Sequence, residues 1–188
     1  ESGYLHLSLP KEYGGLGLPL HDCVAAQLEL AQGSAATALV AGMHLHFFGH
    51  LSETHPWDEA QFARWCAVAA AGGLFNNVAS EPALGSPSRG AFYSTTAQAE
   101  GDEWVINGRK TWTTGGQYLT HLAVRLTLET EPAIIIVPGN APGLVWTETW
   151  GDSLSLRASE SHDVTFDNVR VPRDYLVERG KREDQPNA

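Results

Sequence analysis

At 188 residues, 43% of them hydrophobic and 18% charged, the chain can bury a sizeable core as one domain or two small ones. Its formal net charge of -10 excludes a nucleic-acid surface, which needs clustered Lys and Arg. The one basic group, Arg179, Lys181 and Arg182, is offset by Glu178, Glu183 and Asp184.

Cys23 and Cys66 fall in apolar helix-like segments without metal spacing, so they read as buried free thiols rather than a disulfide framework. The longest apolar run is far short of a membrane span, and the first residues carry no basic region followed by an apolar stretch. A cytoplasmic location is the expectation. The chain begins at Glu1 without a Met, and reads as a piece of a longer protein.

In chain order, the Gly- and Pro-punctuated first eighteen residues predict a tight loop. Leu20, Val24, Leu28 and Ala31 recur at helical spacing, and Gly33 suits the terminator. Ser34 then caps a second helix running to about residue 52. That helix is apolar almost all round, so it should pack against more than the first helix supplies. His46 and His50 lie one turn apart within it, but no Cys, Asp or Glu completes a metal shell, and no metal is expected. Pro56, Asp58 and Glu59 open a third helix with Phe62, Trp65, Cys66 and Ala69 as its buried stripe.

Gly72 and Gly73 end the helices, and the period changes to two. Strands are expected over residues 74–80, 92–99, 104–114, 119–128, 133–137, 144–149 and 162–166, with Gly- and Pro-rich turns between them. The class is therefore α+β: a helical region over residues 1–72, a small antiparallel β-barrel over 73–177, and a polar tail over 178–188. In the run 107–116, Trp112 and Thr114 stand two apart on one strand and should share a face, an indole beside a hydroxyl. Such a pair suits a flat, partly polar ring.

Four motifs in order carry a resemblance. They are Leu-Pro-Lys-Glu-Tyr-Gly-Gly-Leu-Gly (9–17), Ala-Ser-Glu-Pro-Ala-Leu-Gly-Ser (79–86), the Trp-x-Thr strand, and Leu-Arg-Ala-Ser-Glu-Ser (156–161) running on to Val-Arg-Val-Pro (169–172). Together they resemble the acyl-CoA dehydrogenase family of flavoproteins over nearly the whole chain, without the carboxy-terminal helical bundle of that family. The resemblance implies FAD, or FMN as the alternative, and α,β-dehydrogenation of an acyl-CoA thioester with hydride passing to flavin N5. By the same resemblance, Asn77, Ala79, Ser80, Trp112 and Thr114 hold the cofactor, while Ser86, Glu160, Ser161 and His162 lie along the substrate.

Departures are informative. Pro87 stands where the family usually has Asp after Ser, and His162 stands where short- and medium-chain dehydrogenases usually carry a second Arg. The Ser-His-Asp-Val form also resembles the sister group of flavin-dependent monooxygenases acting on aromatic or heteroaromatic compounds, which is the alternative function. A non-catalytic homologue or assembly subunit is the second alternative. In the family the catalytic carboxylate belongs to the carboxy-terminal bundle, so none of Glu53, Glu59, Glu81 or Glu160 is assigned as base. The resemblance further implies an electron acceptor such as an electron-transfer flavoprotein, and a homo-oligomer, dimer or tetramer.

Overall fold

The structure, a computed structural model, describes residues 3–82, 92–152, 154 and 156–180. Among them are three α-helices, α1 (Leu20–Gly33), α2 (Ala35–Thr54) and α3 (Glu59–Ala70). Eight strands follow: β1 (Phe75–Val78), β2 (Thr96–Glu100), β3 (Glu103–Thr113), β4 (His121–Leu128), β5 (Glu131–Pro138), β6 (Leu144–Thr147), β7 (His162–Pro172) and β8 (Leu176–Arg179). Ser34 caps α2, its hydroxyl accepting from Thr37 N–H at 3.2 Å, and Asp58 caps α3 by accepting from Gln61 N–H at 2.8 Å. Pro56 therefore lies outside the third helix, two residues before its cap.

The sheet runs β6-β7-β3-β2-β4-β5-β8, with β1 also paired to β4. The expected barrel is an open sheet: β6 and β8 are its two ends and do not pair with each other. Nor is it wholly antiparallel. Both β1 and β2 run parallel to β4, pairing with its first and last halves respectively. Parallel neighbours need long crossovers rather than hairpins, which breaks the simple meander that a barrel reading assumed. The β8 strand also carries the sheet two residues past the expected boundary at 177, held by Arg179 donating to Glu131 and Glu129.

Two apolar clusters cover the two faces of β4 and β5. On one face Leu122, Val124, Leu126, Ile135 and Val137 pack with Trp104, Ile106, Val164, Phe166, Val169 and Val171 from β3 and β7, so the sheet curls over its own core. On the other, Ala123, Ile134 and Ile136 meet Phe47, Phe48 and Leu51 of α2 and Phe62, Trp65 and Ala69 of α3. Burial on both faces explains the unbroken apolar run of β5, where alternation would otherwise be expected. His44 ties the layers together. It is fully buried, its Nε2 donating to Leu5 O at 3.1 Å while its Nδ1 accepts from Phe75 N–H at 3.2 Å. Burial holds its pKa down to about 4, so it stays a neutral structural link between α2, the entry loop and β1.

Candidate active site

The segment after β1 is fastened to β3 by a buried ion pair. Lys110 Nζ donates to Glu81 Oε1 at 2.8 Å and to Ala79 O at 3.2 Å, and lies 4.2 Å from the centre of the Tyr93 ring. Both charged side chains are wholly shielded from solvent. The Glu81 carboxylate also accepts from Ser94 N–H, Ser94 Oγ and Thr95 N–H at 2.7–2.9 Å. These contacts take the N–H groups of residues 94 and 95, and β2 begins at Thr96 rather than at 92. Thr111 N–H donates to Ser80 O at 3.0 Å, so residues 79–81 lie alongside Lys110 and Thr111. Glu81 thus does a definite job: through Lys110 its carboxylate fastens the segment of Ala79 and Ser80 to β3.

At the end of β3 the ladder with β7 slips between Lys110 and Thr113, and Trp112 takes a left-handed φ of 56°. This bulge cancels the alternation expected for Trp112 and Thr114. The Trp112 side chain is 56% exposed, whereas Thr113 and Thr114 are both buried, and Thr114 falls just beyond the strand. Thr114 N–H donates to Trp112 O at 2.9 Å, and Asn76 Nδ2 donates to Thr114 O at 2.8 Å. Asn76 is a missed residue. Its signal was a polar residue in phase with the buried Val78, two positions on, which demands a buried partner.

The 3-10 turn Arg157–Ser159 closes over this corner. It is bracketed by Leu156 and Glu160, both left-handed, so three of the six non-glycine residues with positive φ among those described, Trp112, Leu156 and Glu160, lie at the end of β3 or flank this turn. Such outliers concentrate where function requires them. Gly115 N–H donates to Ser159 O at 2.9 Å, and Thr114 Oγ1 lies 2.9 Å from Ser161 Oγ. Gly116, at φ +46°, leaves no room for a side chain, since a Cβ would sit 2.8 Å from Glu160 O.

The remaining expected residues divide. Asn77 uses its Oδ1 to accept from Arg125 Nε at 3.0 Å, and Ala79 and Ser80 are half-buried beside Lys110 and Thr111. His162 Nδ1 accepts from Thr149 N–H and Trp150 N–H, each at 3.2 Å, which leaves the proton on Nε2 facing Glu160 Oε2 at 3.2 Å. His162 and Glu160 are thus engaged with each other and with the 149–150 backbone. Next to them Asp163 accepts from Arg109, Thr111 and Thr149. Burial would raise its carboxyl, but these hydrogen bonds hold it below the usual range. Ser86 lies outside the described residues.

The residue types at the corner fit a flavin: an indole face in solvent at Trp112, a buried hydroxyl at Thr114, and a pinned backbone segment at 79–81. Two profiles of one family cover most of the chain. The acyl-CoA dehydrogenase N-terminal domain matches residues 1–73, and the acyl-CoA dehydrogenase middle domain matches residues 77–169. The chain belongs to the acyl-CoA dehydrogenase family.

Among relatives, a putative acyl-CoA dehydrogenase of Bacillus subtilis, YdbM, is 37% identical over 192 residues, covering 100% of this chain and 50% of its own length. The human mitochondrial short-chain specific acyl-CoA dehydrogenase is 30% identical, over 93% of this chain and 43% of its own. The chain therefore spans about half the length of these curated relatives. A solved structure of TdsC from Paenibacillus sp. A11-2, with FMN and indole, superposes with a TM-score of 0.81 at 27% identity, over 94% of this chain and 44% of its own.

Proposed function

We propose that this chain forms the cofactor-facing wall of an FAD-dependent acyl-CoA dehydrogenase. The observation that carries the reading is the corner at the end of β3, where a bulge turns the Trp112 indole into solvent while the Thr114 hydroxyl, two residues on, stays buried. Bound FAD supplies a hydride acceptor at N5. Trp112 provides the stacking face, Thr114 the hydroxyl near N5, and residues 77–80 the edge contacts. Indole stacking of this kind contributes roughly 1–3 kcal/mol. Lys110 and Glu81 keep that edge in place.

Neither Glu81 nor Glu160 takes the part of catalytic base. Glu81 is committed to Lys110, and Glu160 faces His162. The substrate is an acyl-CoA thioester, the electron acceptor an electron-transfer flavoprotein, and the assembly a homo-oligomer. A second reading, a flavin monooxygenase acting on an aromatic or heteroaromatic compound, is supported by the likeness to TdsC with FMN and indole, and by His162 in place of Arg.

Anaerobic mixing of the purified full-length protein with a series of acyl-CoA thioesters decides between them. Bleaching of the flavin absorbance by a thioester is the expected result. A flavin that no thioester bleaches, but that once reduced reacts rapidly with oxygen and oxygenates an aromatic compound, replaces the first reading by the second. A full-length protein that contains and binds no flavin removes both.

A further inference from the structure

Behind Thr114 lies a chain of three hydroxyls. Thr114 Oγ1 is 2.9 Å from Ser161 Oγ, and Ser161 Oγ is 2.8 Å from Ser159 Oγ. Exposure falls inward along it, from 8% at Thr114 through 3% at Ser161 to 0% at Ser159. Each hydroxyl has one hydrogen to donate, so three hydroxyls joined by two links leave one hydrogen to leave the chain. Which end it leaves depends on what lies beyond each end.

At the inner end Ser159 Oγ has no second side-chain hydrogen bond among the described residues and no access to water. A hydrogen leaving there would be buried and unmatched, which is the costly arrangement. The favoured direction therefore has Ser159 donating to Ser161 and Ser161 donating to Thr114, so the spare hydrogen emerges from Thr114, the hydroxyl nearest the exposed indole. The backbone is built to hold this order. Left-handed Glu160 turns the chain so that Ser159 and Ser161 bring their hydroxyls together, and Gly115 N–H fixes the Ser159 carbonyl.

We propose that Ser161, backed by Ser159, is a positioning residue that makes Thr114 a one-way hydrogen-bond donor to the acceptor nitrogen of a bound flavin. The proposal rests on the reading of Thr114 as a flavin neighbour given above. Without the two serines, the Thr114 hydroxyl would be as free to accept as to donate.

The test uses the full-length flavin-loaded protein and two readouts besides turnover, the absorbance maximum of the bound flavin and its reduction potential. Thr114→Val should shift both. Ser161→Ala should shift both in the same direction and by at least half as much, Ser159→Ala by less, and Ser161→Thr should restore the wild-type values. In the Thr114→Val background, Ser161→Ala should add nothing, because its effect passes through Thr114. Fully additive shifts, or a Ser161→Ala protein with wild-type flavin, overturn the relay while leaving the flavin reading intact. A Thr114→Val protein with unchanged flavin overturns the flavin reading itself. Should Ser161→Ala not fold, Ser159→Ala and Ser161→Thr decide in its place: wild-type flavin in the first, or a shift like that of Thr114→Val in the second, overturns the relay.

Discussion

At the scale of single residues, the most consequential pair is Lys110 and Glu81. Burial alone would raise the Glu81 carboxyl, but donation from Lys110, Ser94 and Thr95 outweighs it and brings the pKa down to about 2. The fold therefore holds the ionised form more tightly than the unfolded chain does. Its contribution is fully present above the ordinary carboxylate pKa and is lost as pH falls toward 2. Burial acts the other way on Lys110, pulling its pKa down to about 8 against the pull of the carboxylate. Removing one partner strands the other charge. Lys110→Met should cost about 3–5 kcal/mol in denaturant unfolding, and Lys110→Met with Glu81→Leu should recover much of that loss. An undiminished stability in the single variant would mean that the pair is not closed in solution. Trp112 is the contrasting case: with most of its indole in solvent, Trp112→Ala should leave the melting temperature nearly unchanged while weakening flavin binding by roughly 1–3 kcal/mol in a fluorescence titration of the full-length protein.

At the scale of elements, what was legible in the sequence followed from period and punctuation. The three helices came from the apolar spacing, the cap of α2 from Ser34, and seven of the eight strands from alternation or apolar runs, while Asp58, expected inside the first turn of α3, proved to be its cap. Closure of the sheet was not legible, because short strands with turns between them say nothing about which edges meet, and β1 and β2 both pair with one edge of β4. The four-residue strand β8 escaped notice for a simple reason: Leu-Val-Glu-Arg has two apolar residues followed by two charged ones, with no alternation to set it apart from the charged tail. At the candidate site, the Trp-x-Thr pattern pointed to the corner at the end of β3 and misjudged its geometry. A single left-handed residue reverses every facing that follows it, and Trp is not a residue type that advertises that conformation. The glycines nearby make the same point testable. Gly116→Ala combines a positive φ with a clash against Glu160 O, and should destabilise the protein by more than about 1 kcal/mol in thermal unfolding. Gly33→Ala at the end of α1 meets nothing within 4 Å, and should be neutral or stabilising by roughly 0.4–1 kcal/mol. The opposite order would show that the turn over Thr114 is looser than drawn.

At the scale of the whole molecule, the exposed apolar surface lies on the first helix and not on the second. The nearly all-apolar α2 is well covered: Phe47, Phe48 and Leu51 sit in the core against β1, β4 and β5, and Ala38, Ala41 and Leu45 are buried as well. It is the first helix that stays bare. Leu20, Val24 and Leu28, one turn apart along α1, are 69%, 48% and 64% exposed, although their spacing reads as a buried stripe. Leu20 and Val24 also line a groove of about 930 Å³ shared with the entry loop and the outer side of α2. No helix among the described residues is long and apolar enough to cross a membrane, so the stripe is not part of a spanning segment. A row of aliphatic side chains in water lends the fold no burial energy, but it offers a continuous apolar strip to any solute that can cover it. The 188-residue chain should accordingly bind a hydrophobic fluorescent dye at α1. Leu20→Glu with Leu28→Glu should abolish most of that fluorescence while changing unfolding stability by no more than about 0.5 kcal/mol, the range for surface substitutions. A loss of several kcal/mol in the double variant would mean instead that the two leucines are buried within the free chain, and that α1 packs the other way round.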